Sequence, residues 1–188
     1  MRTQLRIVAG SLRGRKLTCD VNPQVRPAPQ MVREALFSIL GNAVPDRPFF
    51  DLFAGTGAVG LEAFSRGAGS VIFVERNFRV ADQIQKHLHV FGIADRASVV
   101  RADVYRWAER WQAPPEPVTL FLGPPFADFD RRPGSLLTLL ADLQAKIAVD
   151  SVLVLQSETP FQVGQLPDST RWDVRQYGRN QLMIWVRE

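Results

Sequence analysis

Cysteine and histidine are scarce in this 188-residue chain. Cys19 is the only cysteine, which excludes an internal disulfide, and with His87 and His89 as the only histidines no cluster has the spacing of metal ligands. The residues flanking Cys19 in the sequence include none that would activate a thiol, so it reads as inert; the two histidines read as solvated or packed side chains on an amphipathic helix. Long apolar runs are missing as well. None approaches the roughly 20 residues that span a bilayer, and the opening Met1-Arg-Thr-Gln-Leu-Arg6 lacks the apolar block of a signal peptide. The expectation is a cytoplasmic protein with no metal and no membrane association. Repeats and low-complexity segments are absent too. Acidic residues are lacking from the first sixteen positions, which hold Arg2, Arg6, Arg13, Arg15 and Lys16, with Arg26 and Arg33 to follow. The net charge of +4 is therefore unevenly placed. A basic appendage of this kind fits a polyanionic partner at one edge of an active site, or equally a solvated, solubilising surface.

Hydrophobic residues, by contrast, make up 46% of the chain, enough for one α/β domain with a buried core and a short appendage. Its most informative stretch is Asp51-Leu-Phe-Ala-Gly-Thr-Gly-Ala-Val-Gly60, followed by Val71-Ile-Phe-Val-Glu75. An apolar run feeds an acid and a glycine-rich turn, and helix-forming residues with helical apolar spacing come next. The glycines open backbone conformations closed to other residues and let a ligand lie against bare peptide, while the helix start offers unpaired N–H groups. Glu75 ends a second strand twenty positions beyond Gly55, where a carboxylate can accept from both hydroxyls of a ribose. An adenosine-containing cofactor is the expected ligand.

Around this motif the pattern predicts a hairpin from residues 5–8 and 15–18, joined by Gly10-Ser-Leu-Arg-Gly14, and a helix from Gln30 to Leu40 that stops at Gly41. Strands over 49–52, 70–75, 97–101, 118–122 and 151–155 alternate with helices over 58–66, 78–91, 104–110 and 134–143. Such alternation with short loops predicts a parallel sheet covered on both faces. The chain closes on two strands, 172–177 and 181–186, joined by a turn and read as an antiparallel hairpin edge. Pro114, Pro115 and Pro117 mark a loop within the domain.

Gly55-x-Gly57-x-x-Gly60 with Glu75 also fits a dinucleotide site, which leaves a nicotinamide or flavin enzyme open on glycines alone. Three features favour S-adenosylmethionine. Asp51 would repel a pyrophosphate but can receive an ammonium, directly or through water. Asp103, after the third strand, is placed to accept from an adenine amino group. Gly123-Pro-Pro-Phe126 ends the fourth strand as a rigid turn carrying an aromatic ring at the edge where open α/β sheets hold ligands.

These residues, with Arg6-Ile-Val-Ala-Gly10, Arg13-Gly-Arg-Lys-Leu17, Arg26-Pro27, Val32-Arg-Glu-Ala-Leu-Phe37, Leu61-Glu-Ala63 and Ser65-Arg-Gly-Ala68, resemble the RsmD family over nearly the whole chain. That family comprises bacterial class I methyltransferases acting on the exocyclic N2 of a guanine in 16S ribosomal RNA. The resemblance implies a Rossmann-like, mostly parallel seven-stranded sheet with an antiparallel C-terminal strand. It implies an RNA-binding extension over 1–47 and a cofactor domain over 48–188, a monomer whose substrate is a partly assembled small ribosomal subunit. It implies S-adenosylmethionine held by Asp51, Phe53, Gly55, Thr56, Gly57, Glu75, Arg76, Asp103 and Val104. The catalytic turn would be Gly123, Pro124, Pro125 and Phe126, with Arg6, Arg13, Arg15, Lys16, Arg26 and Arg33 on RNA. Two positions depart from the family pattern: Gly123 replaces the usual Asp or Asn of the Asp/Asn-Pro-Pro-Tyr/Phe motif, and Ala28-Pro29-Gln30 replaces Thr-Thr-Asp. Alternatives to an RNA amino-group methyltransferase are an RNA-binding assembly protein that keeps the cofactor fold without turnover, and methylation of another nucleophile such as a protein side chain. Asp128 and Asp130 are candidates to replace the missing acid, and Glu158 is either a ligand-binding group or a loop cap.

Overall fold

Central strands form where the sequence is apolar on both faces. In the computed structural model, which describes residues 2–20, 27–158 and 161–188, β3 (Pro48–Leu52), β6 (Thr119–Leu122) and β7 (Val152–Ser157) are buried almost throughout, as expected of strands covered by helices on both sides. With β4 (Ser70–Val74), β5 (Ala97–Val100), β8 (Asp173–Tyr177) and β9 (Asn180–Val186) they make a seven-stranded sheet in the order β5-β4-β3-β6-β7-β9-β8. β3 to β7 pair in parallel, and β9 runs antiparallel to both β7 and β8. The expected architecture is present. The chain leaves β3 toward β4 and β5, then returns through β6 on the other side, so the strand order reverses between β3 and β6. A crevice opens there at the carboxyl ends of the strands.

One face of the sheet is covered by α1 (Gln30–Leu40), α2 (Ala58–Ser65) and α3 (Phe78–Val90), whose apolar faces share a cluster with Phe49, Val71, Phe73 and Phe121. The other carries α4 (Val104–Arg110), α5 (Phe126–Arg131) and α6 (Pro133–Lys146) over Phe50, Leu120, Leu122 and Leu153. Capping fixes where α3 and α4 begin: the Asn77 side chain accepts from the N–H groups of Arg79 and Val80, and that of Asp103 from Tyr105 and Arg106. α5 was not expected from the sequence, because Pro124 and Pro125 read as a turn; Pro125 is in fact its N-cap. No helix among the described residues is long and apolar enough to cross a membrane.

The N-terminal hairpin, β1 (Arg2–Arg6) with β2 (Lys16–Asp20), pairs Leu5 with Leu17 and Arg6 with Lys16. Ile7, Leu12, Leu17 and Cys19 belong to the same hydrophobic cluster as Leu61 and Ala63, so the core is continuous across residue 47. β1 stops at Arg6, two residues short of the sequence expectation: the Ile7 N–H still meets the Arg15 carbonyl at 3.1 Å, but the N–H groups beyond it have other partners. Val8 and Ala9 donate to Glu62 Oε2 and Oε1 at 2.8 and 3.0 Å. The Ser11 N–H meets the Ser65 carbonyl at 2.7 Å and the Leu12 N–H meets Ser65 Oγ at 2.9 Å. Gly10 makes this approach possible: a Cβ there would lie 1.7 Å from the Ser65 carbonyl oxygen. The hairpin loop is thus bonded directly to α2.

Candidate functional site

Asp51 and the first turn of α2 form one end of the crevice. Asp51 is 1% exposed, and its Oδ2 accepts the Gly60 N–H at 2.8 Å. Gly60 is required there, since an added Cβ would stand 2.3 Å from Phe73 Cε1 and 3.0 Å from Asp51 Oδ2. Burial pushes the Asp51 carboxyl up to about 8; the Gly60 N–H opposes this and the nearby Glu75 charge adds to it. A cation placed beside a carboxyl so disfavoured as an anion would favour its charged form.

Glu75 ties two loops together. Its Oε2 accepts the Gly55 N–H at 2.9 Å and its Oε1 the Asn77 N–H at 2.7 Å, so the glycine turn after β3 is fastened to the turn after β4. A carboxylate has about four lone-pair directions, which leaves acceptor capacity for a diol. At Asp103 both helix-capping bonds fall on Oδ1, and Oδ2 is left for an amino group. Phe53 holds a left-handed backbone conformation, φ 63°, at the end of β3. Its ring packs edge-on against Tyr105 with centroids 5.6 Å apart. The Tyr105 hydroxyl donates to Asp128 Oδ2 at 2.7 Å and Arg132 lies over the Tyr105 ring at 4.4 Å. Burial and the Asp128 bond push the phenol upward.

Asp51, Phe53, Gly55, Thr56, Gly123, Pro124 and Phe126, all expected site residues, line one cavity. Gly57 caps α2 with φ 72°, and Glu75 lies behind Gly55. Gly57, Glu75, Asp103, Arg76, Val104 and Pro125 are outside that lining: Arg76 is exposed, Val104 is in the core and Pro125 caps α5. The cavity also takes in Pro27, Ala28, Phe121, Gln156 and Glu158. Gln156 had no sequence signal beyond its place near the end of the fifth strand of the Rossmann layer. Asp128 is buried and bonded to Tyr105, and Asp130 is exposed on α5. Neither lines the cavity.

Arg6, Arg13, Arg15 and Lys16 are exposed on the hairpin and its loop, as a polyanion surface requires. Arg26 lies outside the described residues. Arg33 is a correction. It is 2% exposed, and its Nη1 and Nη2 donate to the carbonyls of Ala28 at 2.8 Å and Arg6 at 3.0 Å. Burial lowers its pKa, with Glu62 and Glu34 opposing, and its Nε has no hydrogen-bond partner among the described residues. A guanidinium spent on buried carbonyls does not reach phosphates; Arg33 instead holds a wall of the cavity to β1.

A seven-stranded sheet of this order with one antiparallel strand, an acid-flanked glycine turn after β3 and an acid after β4 defines a class I methyltransferase. Residues 5–186 match the family described as Conserved hypothetical protein 95, and the chain belongs to that family, the RsmD family. Ribosomal RNA small subunit methyltransferase D of Escherichia coli (strain K12) is 38% identical over 123 residues, 65% of this chain and 61% of that protein. A Bacillus subtilis protein provisionally named as the rRNA methyltransferase YlbH is 32% identical over 168 residues, 86% of this chain and 89% of its own length. A solved Escherichia coli structure, provisionally described as the methyltransferase yhhF, superposes with a TM-score of 0.79 at 29% identity over 99% of each chain.

Proposed function

We propose that this chain transfers a methyl group from S-adenosylmethionine to the exocyclic N2 of a guanine in small-subunit ribosomal RNA. The observation that carries the reading is the crevice itself. Asp51, with its raised pKa, and Glu75, fastened to the glycine turn, stand at one side of the strand-order reversal, and the Gly123–Phe126 turn stands at the other. Names of relatives that act on ribosomal RNA support it. When bound, S-adenosylmethionine supplies an electrophilic methyl carbon on a sulfonium. Asp51 receives its ammonium, the remaining lone pairs of Glu75 accept from the ribose hydroxyls, and Asp103 Oδ2 accepts from the adenine amino group. Thr56, Gly57, Arg76 and the backbone at Val104 complete the cofactor surface. Phe126, 51% exposed, offers a face on which an extruded base stacks. The Pro124 carbonyl accepts one amino hydrogen. Holding both reactants in the crevice supplies the remaining rate gain by proximity.

The exposed Arg6, Arg13, Arg15 and Lys16 contact phosphates, and a monomer acting in the cytoplasm on a partly assembled subunit fits a hairpin fixed beside the cavity. Displacement at a sulfonium methyl needs no metal. The test is incubation of partly assembled small subunits with isotope-labelled cofactor, followed by mass spectrometry of the nucleosides. Label in N2-methylguanine is the expected result. A double charge removal, Arg13→Gln with Lys16→Gln, should weaken RNA binding and flatten its salt dependence by about 1.4–1.8 units of slope, roughly 0.7–0.9 for each phosphate no longer neutralised. One observation favours a second reading: Gly123 offers no side-chain acceptor to an amine. Saturable cofactor and RNA binding with no transfer would establish an assembly protein on the methyltransferase fold.

A further inference from the structure

We propose that the side-chain carbonyl of Gln156 is the second acceptor for the target amino group, replacing from the neighbouring strand what Gly123 cannot supply. The inference rests on the amino-group reading above. An exocyclic amine has two hydrogens, and its lone pair is delocalised into the ring. Two acceptors, one per hydrogen, turn that lone pair toward the methyl carbon. The Pro124 carbonyl is one, and the glycine before it has no side chain to be the other.

β6 and β7 are parallel neighbours, and their last paired residues are Leu122 and Leu155. One position further stand Gly123 and Gln156, side by side at the mouth of the cavity that both line with Phe121. Parallel neighbours in register present their side chains on the same face: Phe121 and Val154, two residues earlier, share one hydrophobic cluster. Adjacent strands lie about 4.8 Å apart, and glutamine is one methylene longer than asparagine, so its amide reaches sideways toward the space that a side chain at 123 would fill. That space is open apart from Phe121 Cε1, 3.3 Å from an ideal Cβ.

Gln156 is also oriented for the task. It is 8% exposed, and its Nε2 donates at 3.3 Å to Oδ1 of Asn180, itself 7% exposed. With Nε2 of the amide held by Asn180, its other end, the acceptor Oε1, would be the one offered to an incoming amine. An amide carbonyl is a weaker acceptor than a carboxylate, and it takes no proton. In the transfer the nitrogen lone pair forms the N–C bond as the C–S bond breaks and its electron pair returns to sulfur. The proton then carried by the nitrogen leaves to water.

Methyl transfer to partly assembled small subunits, beside cofactor titration and thermal melting, tests this in wild type, Gln156→Met, Gln156→Glu and Gly123→Asn, the last in both wild-type and Gln156→Met backgrounds. Gln156→Met should lower kcat about 10- to 100-fold, the worth of one such hydrogen bond in the transition state, without weakening cofactor binding. Gln156→Glu, which keeps an acceptor, should lose less. Gly123→Asn should recover most of the loss in the Gln156→Met background and gain less than tenfold in the wild type. A Gln156→Met enzyme as active as wild type, or the same gain from Gly123→Asn in both backgrounds, overturns the assignment. If Gln156→Met melts below the assay temperature, Gly123→Asn in the wild type decides: a gain of tenfold or more overturns it and a smaller one supports it. An inert wild type overturns both this inference and the methyltransferase reading, whereas an active wild type indifferent to Gln156→Met overturns this inference alone.

Discussion

Removing the Glu62 carboxylate should detach the hairpin loop from α2 without unfolding the cofactor site. Glu62 is 1% exposed and takes the N–H groups of Val8 and Ala9 and the Nε of Arg66, the last at 2.9 Å. In Glu62→Ala the two backbone donors, if left buried and unpaired, cost about 2–6 kcal/mol in total, at 1–3 each. The chain can avoid that cost by releasing residues 7–12 to water. Doing so exposes Ile7 and Leu12, both buried, which forfeits about 3–6 kcal/mol of burial. Because the two totals overlap, local opening competes with the strained docked state, and the opening free energy of this segment drops by most of the smaller figure. Amide exchange at Ala9, Ser11 and Leu12 should therefore accelerate about a hundredfold or more, while exchange in β3 and β6 keeps its rate. RNA affinity should fall, since Arg13, Arg15 and Lys16 lose their fixed placement. Cofactor affinity should stay within about threefold, about 0.7 kcal/mol, because Glu62 bonds none of Asp51, Gly60 and Glu75. Unchanged exchange over 9–12, or an equal loss of cofactor and RNA affinity, would refute the reasoning.

Three further outcomes are expected. Because the free Asp51 carboxyl sits near a pKa of about 8 and a bound ammonium favours its ionised form, binding should release a proton below that pH, and affinity should fall by up to about tenfold per pH unit on acidification. Calorimetry in two buffers of different ionisation enthalpy reads the proton, and Asp51→Asn should abolish its release. The same raised value makes the ligand-free fold lose stability as pH climbs from the ordinary carboxylate range toward 8, a trend that denaturant titrations across that window would show or disprove. Gly60→Ala drives a methyl into Phe73 and toward Asp51; it should destabilise by about 1–3 kcal/mol, lowering Tm, and should weaken cofactor binding. Tyr105→Phe leaves Asp128 buried without its 2.7 Å donor, for a loss of about 1–3 kcal/mol in chemical unfolding.

The sheet could be read from the sequence because each central strand is a short apolar run bounded by turn residues, and because Asp51 and Glu75 stand where such runs end. Physics fails to mark the rest locally. Arg33 carries the charge of an RNA contact, yet its partners are carbonyls of Ala28 and of Arg6, 27 positions away, and backbone acceptors leave no trace in side-chain pattern. Glu62 sits among apolar residues of a helix whose every position is buried, and the docked hairpin, with Arg66, supplies the donors that hold a carboxylate there. Gln156 differs again: Asn180, which accepts from its Nε2, comes from β9, 24 positions on, and its neighbour Gly123 is identified only by the register of two strands. α5 was hidden because its start is written in prolines that equally well end a strand.

The buried links also constrain how a substrate is chosen. α2 carries the glycine turn at its N-terminus and, through Glu62 and Ser65 near its other end, the loop that bears Arg13. Arg33 joins the cavity wall at Ala28 to the carbonyl of Arg6 on the same hairpin. Two sets of buried bonds, coupled through the Glu62 charge that acts on Arg33, therefore fix the spacing between exposed cations and the cavity, and neither can shift without stranding donors at about 1–3 kcal/mol each. Phosphate contacts carry little sequence information of their own. On the proposed function, a rigid separation between them and a pocket for one base would instead select RNA by the distance and direction from backbone to target. That is a property of a folded ribosomal subunit and not of a free oligonucleotide, so short RNAs bearing the same local sequence should bind through charge alone and be poor methyl acceptors.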